Sequence, residues 1–114
     1  MVAQFLQDTI ADGSMVVRVV GEVDVAVLED LRAAVRPCLS ACDVVAVDLS
    51  GVEFIDSSGL GALVQLMKEA GRQDVAFTLT GVRPPTYRLL ELTGLTSIFD
   101  IRSGSQAADN VIDA

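Results

Sequence analysis

From residue 47 to residue 61 the chain reads VDLSGVEFIDSSGLG, and the fold can be worked out from this stretch. Residues 47–49 are the end of a short apolar run at 43–49, which has the composition of a buried strand. Residues 50–58 mix small, polar and apolar side chains, and we predict a loop there. After the loop, apolar residues recur every three or four positions, which predicts an amphipathic helix over 58–71. A strand that leads into a helix is the repeating unit of α/β domains.

Outward from this stretch, segments with strand and helix periodicity alternate. The pair Asp12-Gly13 predicts a tight turn between the first two strands, because glycine supplies the positive φ that such turns need. Asp24 is placed to cap the first helix and Pro37 to end it, while Gly94 is placed to stop the third. The predicted strands are residues 3–10, 14–21, 43–49, 75–80 and 97–101, and the predicted helices are 24–37, 58–71 and 84–93, with a short helix or tail at 105–112.

This order predicts one α/β domain. A hairpin followed by alternating helices and strands gives a mixed sheet of four to five strands with helices packed on it. The 114 residues fit a single domain over 1–114, with a core at about 3–102 and a terminal helix or tail at 103–114. The first strand is expected at an edge of the sheet, which leaves a dimer through that edge open.

Composition removes several classes of function. The net charge is −8, with 8 Lys and Arg against 16 Asp and Glu, so the basic surface that nucleic acid binding requires is lacking. The absence of histidine removes most general-base, triad and zinc chemistry. We therefore expect no catalytic residue, no metal and no cofactor. The first residues lack the pattern of a signal peptide and no segment is long enough to span a bilayer, so we expect a cytoplasmic protein without a membrane partner.

The junction at Asp56-Ser57-Ser58 carries the functional signal, and three interpretations of it compete. Ser57 or Ser58 could cap the following helix. A serine could be a nucleophile, but no histidine base exists, and Ile55 stands where a Gly-x-Ser-x-Gly elbow has its first glycine. A serine could also be phosphorylated, because the free N–H groups and the dipole of a helix N-terminus favour a phosphate. Asp56 either braces the loop through backbone amides or faces a metal bound by a kinase.

The same stretch resembles the signature of a known family. FIDSSGLG at 54–61, preceded by VDLS at 47–50, looks like the signature of STAS-domain anti-sigma factor antagonists. GEVD at 21–24, and LTGL at 92–95 followed by Ile98-Phe99, look like two further motifs of that family. The resemblance covers about residues 3–112 in the family's order. It implies a single STAS domain and a regulatory protein that is not an enzyme.

The resemblance also implies a switch. In the family, the serine directly after the aspartate is phosphorylated by an anti-sigma factor that is also a serine kinase, and a phosphatase removes the phosphate. That serine is Ser57 in this chain, with Ser58 as the alternative acceptor. The unphosphorylated form binds the anti-sigma factor and so frees the sigma factor. The implied partner-binding residues are Asp24, Asp56, Ser57, Ser58, Gly59, Gly61, Ala62 and Gln65, of which Gly61, Ala62 and Gln65 are expected to be exposed on the second helix.

A second hypothesis stays open beside the switch. The chain could be a STAS subunit that stabilises a larger assembly, such as a lipid-transport ATPase or a stress-sensing scaffold, without any phosphorylation. Val27 departs from the family pattern, which often has a Thr or Ser there to cap the first helix, so the start of that helix is open. Leu66 lies off the centre of the apolar stripe. It would be a partner contact if it were exposed, but its position favours partial burial. Met67 is assigned to the core.

Overall fold

The computed structural model of the protein describes residues 4–11 and 13–102. Within them the chain forms five strands, three α-helices and two short 3₁₀ turns. The elements are β1 Gln4–Ala11, β2 Ser14–Val23, a 3₁₀ turn Val25–Val27, α1 Leu28–Ala41, β3 Val44–Ile55, α2 Ser57–Arg72, β4 Ala76–Thr80, α3 Pro84–Leu92, a 3₁₀ turn Leu95–Ser97 and β5 Asp100–Arg102. The helix or tail predicted at 105–112 lies outside the described residues, so the extent of the domain at that end stays a prediction.

The strands form one mixed sheet in the order β1-β2-β3-β4-β5. β1 and β2 are an antiparallel hairpin, and Gly13 in their connection has a φ of 81°. The other three pairings are parallel. Each parallel pair is joined by a helix, and because such crossovers are right-handed and the strand order follows the chain, the three helices lie on one face. The predicted α/β class, the mixed sheet and the edge position of the first strand are confirmed.

The core lies between this sheet face and the helices, and it is almost entirely aliphatic. Alternate residues of the strands point into it, as the period of two requires. The helices contribute residues spaced by three or four. Its fully buried members include Val17, Val19, Val45, Val47, Leu49 and Leu79 from the sheet and Leu31, Val35, Leu60, Leu63, Leu66, Ala70 and Leu90 from the helices. Among the helices of the described residues, none is long and apolar enough to cross a bilayer.

The third strand is longer than predicted, and most of the predicted loop after it belongs to the strand. β3 continues to Ile55. Arg18 of β2 lies opposite Asp48 of β3. Two residues further along β2, Val20 lies opposite Gly51, so β3 holds one more residue than β2 over this interval. Such a β-bulge interrupts the alternation of apolar and polar residues, and for that reason the sequence pattern missed the rest of the strand.

The first helix begins later than predicted. Asp24 does act as a cap, but of the 3₁₀ turn, where its carboxylate accepts from the N–H of Ala26 at 3.0 Å. α1 itself begins at Leu28, and Val27 precedes it without a side-chain cap. Val27 is buried, so an apolar contact stands where a polar cap was considered.

The predicted end of α1 and the predicted bounds of the last strand are also wrong, whereas the predicted end of α3 is right. Pro37 lies inside α1, which continues to Ala41. A proline removes one helical N–H, and Pro37 is on the exposed side of the helix, where water can bond the carbonyl left without its donor. Gly94 does stop α3, in the left-handed conformation with φ 75°. The strand expected next is shorter, because a 3₁₀ turn precedes it and Phe99 turns into the core.

Leu66 is completely buried in α2, which goes beyond the partial burial favoured by its position and removes the alternative of an exposed partner contact. We expect Leu66→Ala to lower the free energy of unfolding by about 2–5 kcal/mol, because it removes a buried side chain and leaves a cavity. Leu92→Ala is the control, since Leu92 is 71% exposed, and its effect should stay within about 0.5 kcal/mol. Urea unfolding of both variants checks this. Equal midpoints for Leu66→Ala and the unmodified chain would contradict the position of Leu66.

Candidate functional site

Two aspartates lie side by side where β2 and β3 end. Val23 and Ile55 are opposite each other in the last pair of the two parallel strands. Asp24 and Asp56 follow them directly, and the N–H of Asp56 donates to the carbonyl of Val23 at 3.3 Å. The carboxyl edge of parallel strands is where α/β folds place their binding sites, because the loops and helix N-termini converge there.

Asp56 is the N-cap of α2. Its Oδ1 accepts from the N–H of Ser58 at 3.0 Å and from the N–H of Gly59 at 3.1 Å. The Ser58 hydroxyl also donates to the same oxygen, at 2.5 Å. The interpretation of Asp56 as a brace through backbone amides is therefore confirmed. The interpretation of Ser57 or Ser58 as the cap is wrong, because the aspartate one residue earlier already occupies the amides of the first turn.

The two serines at this junction differ in what their hydroxyls do. Ser58 is half-buried and its hydroxyl is held by Asp56. Ser57, the first residue of α2, is exposed. Within the described part of the chain, the Ser57 hydroxyl takes part in no hydrogen bond. Of the two candidate acceptors, Ser57 thus has the accessible and unengaged oxygen.

The hydrogen bonds around Asp56 favour its charged form. The bond from the Ser58 hydroxyl, followed by those from the amides of Gly59 and Ser58, holds the pKa of Asp56 below its ordinary value. Asp56 is therefore ionised at neutral pH, and its charge faces the positive end of the α2 dipole. The surface next to Ser57 already carries a negative charge before any modification.

The two glycines of the first turns of α2 have different reasons to be glycine. A Cβ on Gly59 would lie 2.7 Å from Cγ1 of Ile55 and 3.0 Å from Cγ1 of Val23. The missing side chain therefore lets α2 begin in contact with the strand ends. Gly61 is exposed, and a Cβ there would meet nothing within 4 Å among the described residues. Packing thus requires the first glycine but not the second.

The outer face of α2 differs from the prediction at one position. Gly61 and Gln65 are exposed as expected, but Ala62 is 2% exposed and points into the core. Ala62 lies four residues before Leu66, so the helical period places it on the inner face, and its side chain is not a partner contact. Gln65 has a neighbour that sequence reasoning missed, because Oε1 of Gln65 accepts from Arg32 of α1 at 3.0 Å. Thirty-three residues separate this pair, and no local pattern indicates it.

Two exposed apolar side chains at this edge were also missed. Val25 is 72% exposed in the 3₁₀ turn after β2, and Phe54 is 53% exposed near the end of β3. Phe54 lies opposite Glu22 in the sheet. The signal that could have found Phe54 is its place inside the FIDSSGLG stretch, three residues before Ser57.

Residues 6–108 match the family model of the STAS domain. The match covers most of the chain, and the protein belongs to the STAS domain family. The family expected from the sequence motifs is therefore confirmed.

The chain is also similar to individual proteins and solved structures of this family. The chain is 30% identical over 91 residues to the anti-sigma F factor antagonist of Paenibacillus polymyxa, an alignment that covers 78% of each protein. The crystal structure of an anti-sigma factor antagonist from Mycobacterium paratuberculosis superposes with a TM-score of 0.79 at 31% identity, covering 88% of this chain and 85% of that one. The phosphorylated form of SpoIIAA, a Bacillus cell fate determinant, gives a TM-score of 0.72 at 21% identity, covering 90% and 93%. At that identity, the last likeness concerns the fold alone.

Replacing the two glycines by alanine should have opposite effects on stability. Gly59→Ala should lower the free energy of unfolding by about 1–3 kcal/mol, because the new methyl group overlaps two buried side chains. Gly61→Ala should raise it by about 0.5–1 kcal/mol, because the helix interior favours alanine and the site is open. Urea unfolding of the two variants provides the measurement. A Gly59→Ala protein as stable as Gly61→Ala would show that the first turn does not pack against the strand ends.

The Asp56 cap should make stability depend on pH with a definite sign. Because the folded pKa of Asp56 is lowered, the carboxylate stabilises the folded state above its ordinary pKa of about 3.9 and loses this effect as the pH falls through the lowered value. We expect Asp56→Ala to be about 1 kcal/mol less stable than the unmodified chain at neutral pH. This difference should shrink in acid.

Unfolding by urea across the acidic range tests the sign. Ser58→Ala is the matched variant, because it removes the hydroxyl that contributes most to the lowered pKa. In that variant the folded pKa of Asp56 is lowered less, so the loss of stability in acid should be smaller and should be complete at a higher pH. A difference between Asp56→Ala and the unmodified chain that stays constant from neutral to strongly acidic pH would rule out the charged cap.

Proposed function

We propose that the protein is an anti-sigma factor antagonist that works in the cytoplasm by partner switching. In its unphosphorylated form it binds an anti-sigma factor and so frees a sigma factor, and phosphorylation of Ser57 ends that binding. The observation that carries the proposal is the exposed, unengaged Ser57 hydroxyl at the start of α2, beside an aspartate that caps the helix in its place. Membership of the STAS family, with relatives named as anti-sigma factor antagonists, supports it.

A phosphate on Ser57 would change the docking surface more than the protein's own fold. It brings a charge of about −1.5 to −2 to a helix N-terminus, whose dipole tolerates it. The amides of Ser58 and Gly59 are already bonded to Asp56, and the N–H of Leu60 donates to the Asp56 carbonyl at 3.1 Å. The phosphate therefore finds few donors in its own chain and stays a hydrated anion next to a carboxylate. Its effect falls on whatever protein covers this edge.

The partners follow from the same chemistry. The proposed kinase is the anti-sigma factor itself, acting with ATP on the Ser57 hydroxyl, and a separate phosphatase resets the switch. This chain acts as substrate and binding protein, and we assign it no catalytic step. The surface proposed to meet the anti-sigma factor consists of Asp24, Asp56, Ser57, Ser58, Gly61 and Gln65, with Gly59 contributing backbone because it is buried.

The serine should decide whether the partner stays bound. With Ser57→Ala and Ser57→Asp as paired baits in native cell extract, the alanine bait should retain an anti-sigma factor with an ATP-binding kinase domain. The aspartate bait should bind it at least about tenfold more weakly, which corresponds to about 1.4 kcal/mol. Incubation with the recovered kinase and ATP should label the unmodified chain and Ser58→Ala but not Ser57→Ala, as read by mass spectrometry.

The opposite result identifies the alternative. If both baits hold the same transporter or scaffold complex with equal affinity, the chain is a structural STAS subunit. Labelling of Ser57→Ala and its absence in Ser58→Ala would instead move the switch to Ser58.

A further inference from the structure

We propose that Val25 and Phe54 are the apolar contacts through which the anti-sigma factor covers Ser57, so that a phosphate on Ser57 acts by resisting desolvation. This inference rests on the proposed function and specifies how its switch works. It assigns the partner a surface with apolar pockets on both sides of the position that receives the serine.

The two side chains lie near the paired strand ends that lead into the junction with Ser57. β2 and β3 end together at the pair Val23 and Ile55. Val25 comes two residues after that pair on one strand end, and Phe54 one residue before it on the other. Both side chains are more than half exposed, at 72% and 53%. An aromatic side chain exposed to this extent next to a modifiable serine is the kind of surface that protein partners cover.

A second irregularity in β3 is what turns Phe54 outward. Gly21 lies opposite Val52, but the next residue, Glu22, lies opposite Phe54, so Glu53 is an extra residue in β3. If the register did not shift, Glu22 would pair with Glu53, and Phe54 would lie opposite the inward-pointing Val23 and would be buried. With it, Phe54 shares the outward face of Glu22, and the core position goes to Ile55. A β-bulge that re-aims a side chain beside a site is a built feature of a fold, since burial would otherwise be favoured for phenylalanine.

A kinase that acts on Ser57 would also cover Val25 and Phe54, because a protein interface is much wider than one side chain. A kinase that phosphorylates Ser57 must bring its reacting groups to the hydroxyl and exclude water around them. A protein interface of standard size covers about 800 Å² of each partner, a patch of about 16 Å radius. Val25 and Phe54, on the strand ends next to Ser57, fall within such a patch. Leu92 and Ile98 are comparably exposed, at 71% and 47%, but lie at the opposite edge, because the chain must return there between the parallel strands β4 and β5.

Charge alone would not release a partner matched to this surface. Four carboxylates are near neighbours of the two apolar side chains in the chain or the sheet, Glu22, Asp24, Glu53 and Asp56. Arg83 lines a pocket with Glu53, so the surface stays acidic on balance, and a complementary partner carries basic residues at the rim. Adding a phosphate to an acidic patch would then strengthen the long-range attraction. Loss of binding requires an opposing effect, and the burial of a phosphate between apolar contacts supplies one, because a buried charge without full hydrogen bonding is strongly unfavourable.

The test measures binding of the full chain to the recombinant anti-sigma factor recovered with the Ser57→Ala bait, by titration calorimetry without ATP. Phe54→Ala should weaken binding at least about tenfold and Val25→Ala severalfold. Leu92→Ala and Ile98→Ala are matched controls of similar exposure and should bind unchanged. Urea unfolding should show all four variants within about 0.5 kcal/mol of the unmodified chain, so that altered binding is not altered folding.

A double-mutant cycle and a salt series separate desolvation from repulsion. The weakening caused by Ser57→Asp should be smaller in the Val25→Ala, Phe54→Ala background, because the serine is then less dehydrated in the complex. It should also persist at about 1 M salt, where charge repulsion is screened to about 3 Å.

The failures of the two proposals are distinguishable. If Val25→Ala and Phe54→Ala bind like the unmodified chain while Ser57→Asp still weakens binding, the switch stands and the apolar contacts are wrong. If the weakening caused by Ser57→Asp disappears at high salt, charge repulsion explains it and desolvation does not. If no Ser57 variant changes binding, the proposed function itself is wrong.

Discussion

Asp56 links β2, β3 and α2, the three elements that meet at the functional edge of the sheet. Its backbone N–H continues the pairing of β3 with β2, while its side chain accepts from the amides of Ser58 and Gly59 and from the Ser58 hydroxyl. One residue thus ends a strand, begins a helix and fixes the rotamer of one of two adjacent serines. The three hydrogen bonds to the Asp56 carboxylate come from Ser58 and Gly59. The Ser57 hydroxyl therefore takes no part in the cap and lies exposed at the surface.

Backbone geometry next to this cap controls which side chains reach solvent. Because of the bulge at Glu53, Ile55 points into the core and Phe54 points to solvent. Gly59 then lets the first turn of α2 lie against the Ile55 side chain. Arg32 of α1 then holds the carboxamide oxygen of Gln65, so the outer face of α2 is tied to the neighbouring helix. The site is therefore closely packed on the core side and open on the other, which suits a surface that another protein can cover.

A surface of this kind can regulate without catalysing. It offers an exposed Ser57 hydroxyl beside the Asp56 carboxylate, whose bonds from Ser58 and Gly59 keep it ionised, so the surface is already negative. In the proposed function, partners supply the chemistry by adding or removing a phosphate. Since that phosphate would gain little from its own chain, its free-energy effect would fall mainly on the complex, and a small domain could act as a switch without changing its fold.

The sequence by itself determined the class of fold, the order of most elements, the capping role of Asp24 and the family, because periodicity, turn residues and short motifs are properties of neighbouring residues. It also pointed to Ser57. It placed the end of β3, the start of α1 and the exposure of Ala62 wrongly, and it underestimated the burial of Leu66. Only the tertiary structure decided that Asp56 caps α2 in place of a serine, that Ala62 faces the core and that Phe54 faces solvent. These outcomes depend on strand register and on contacts between residues far apart in the chain, which no local pattern records.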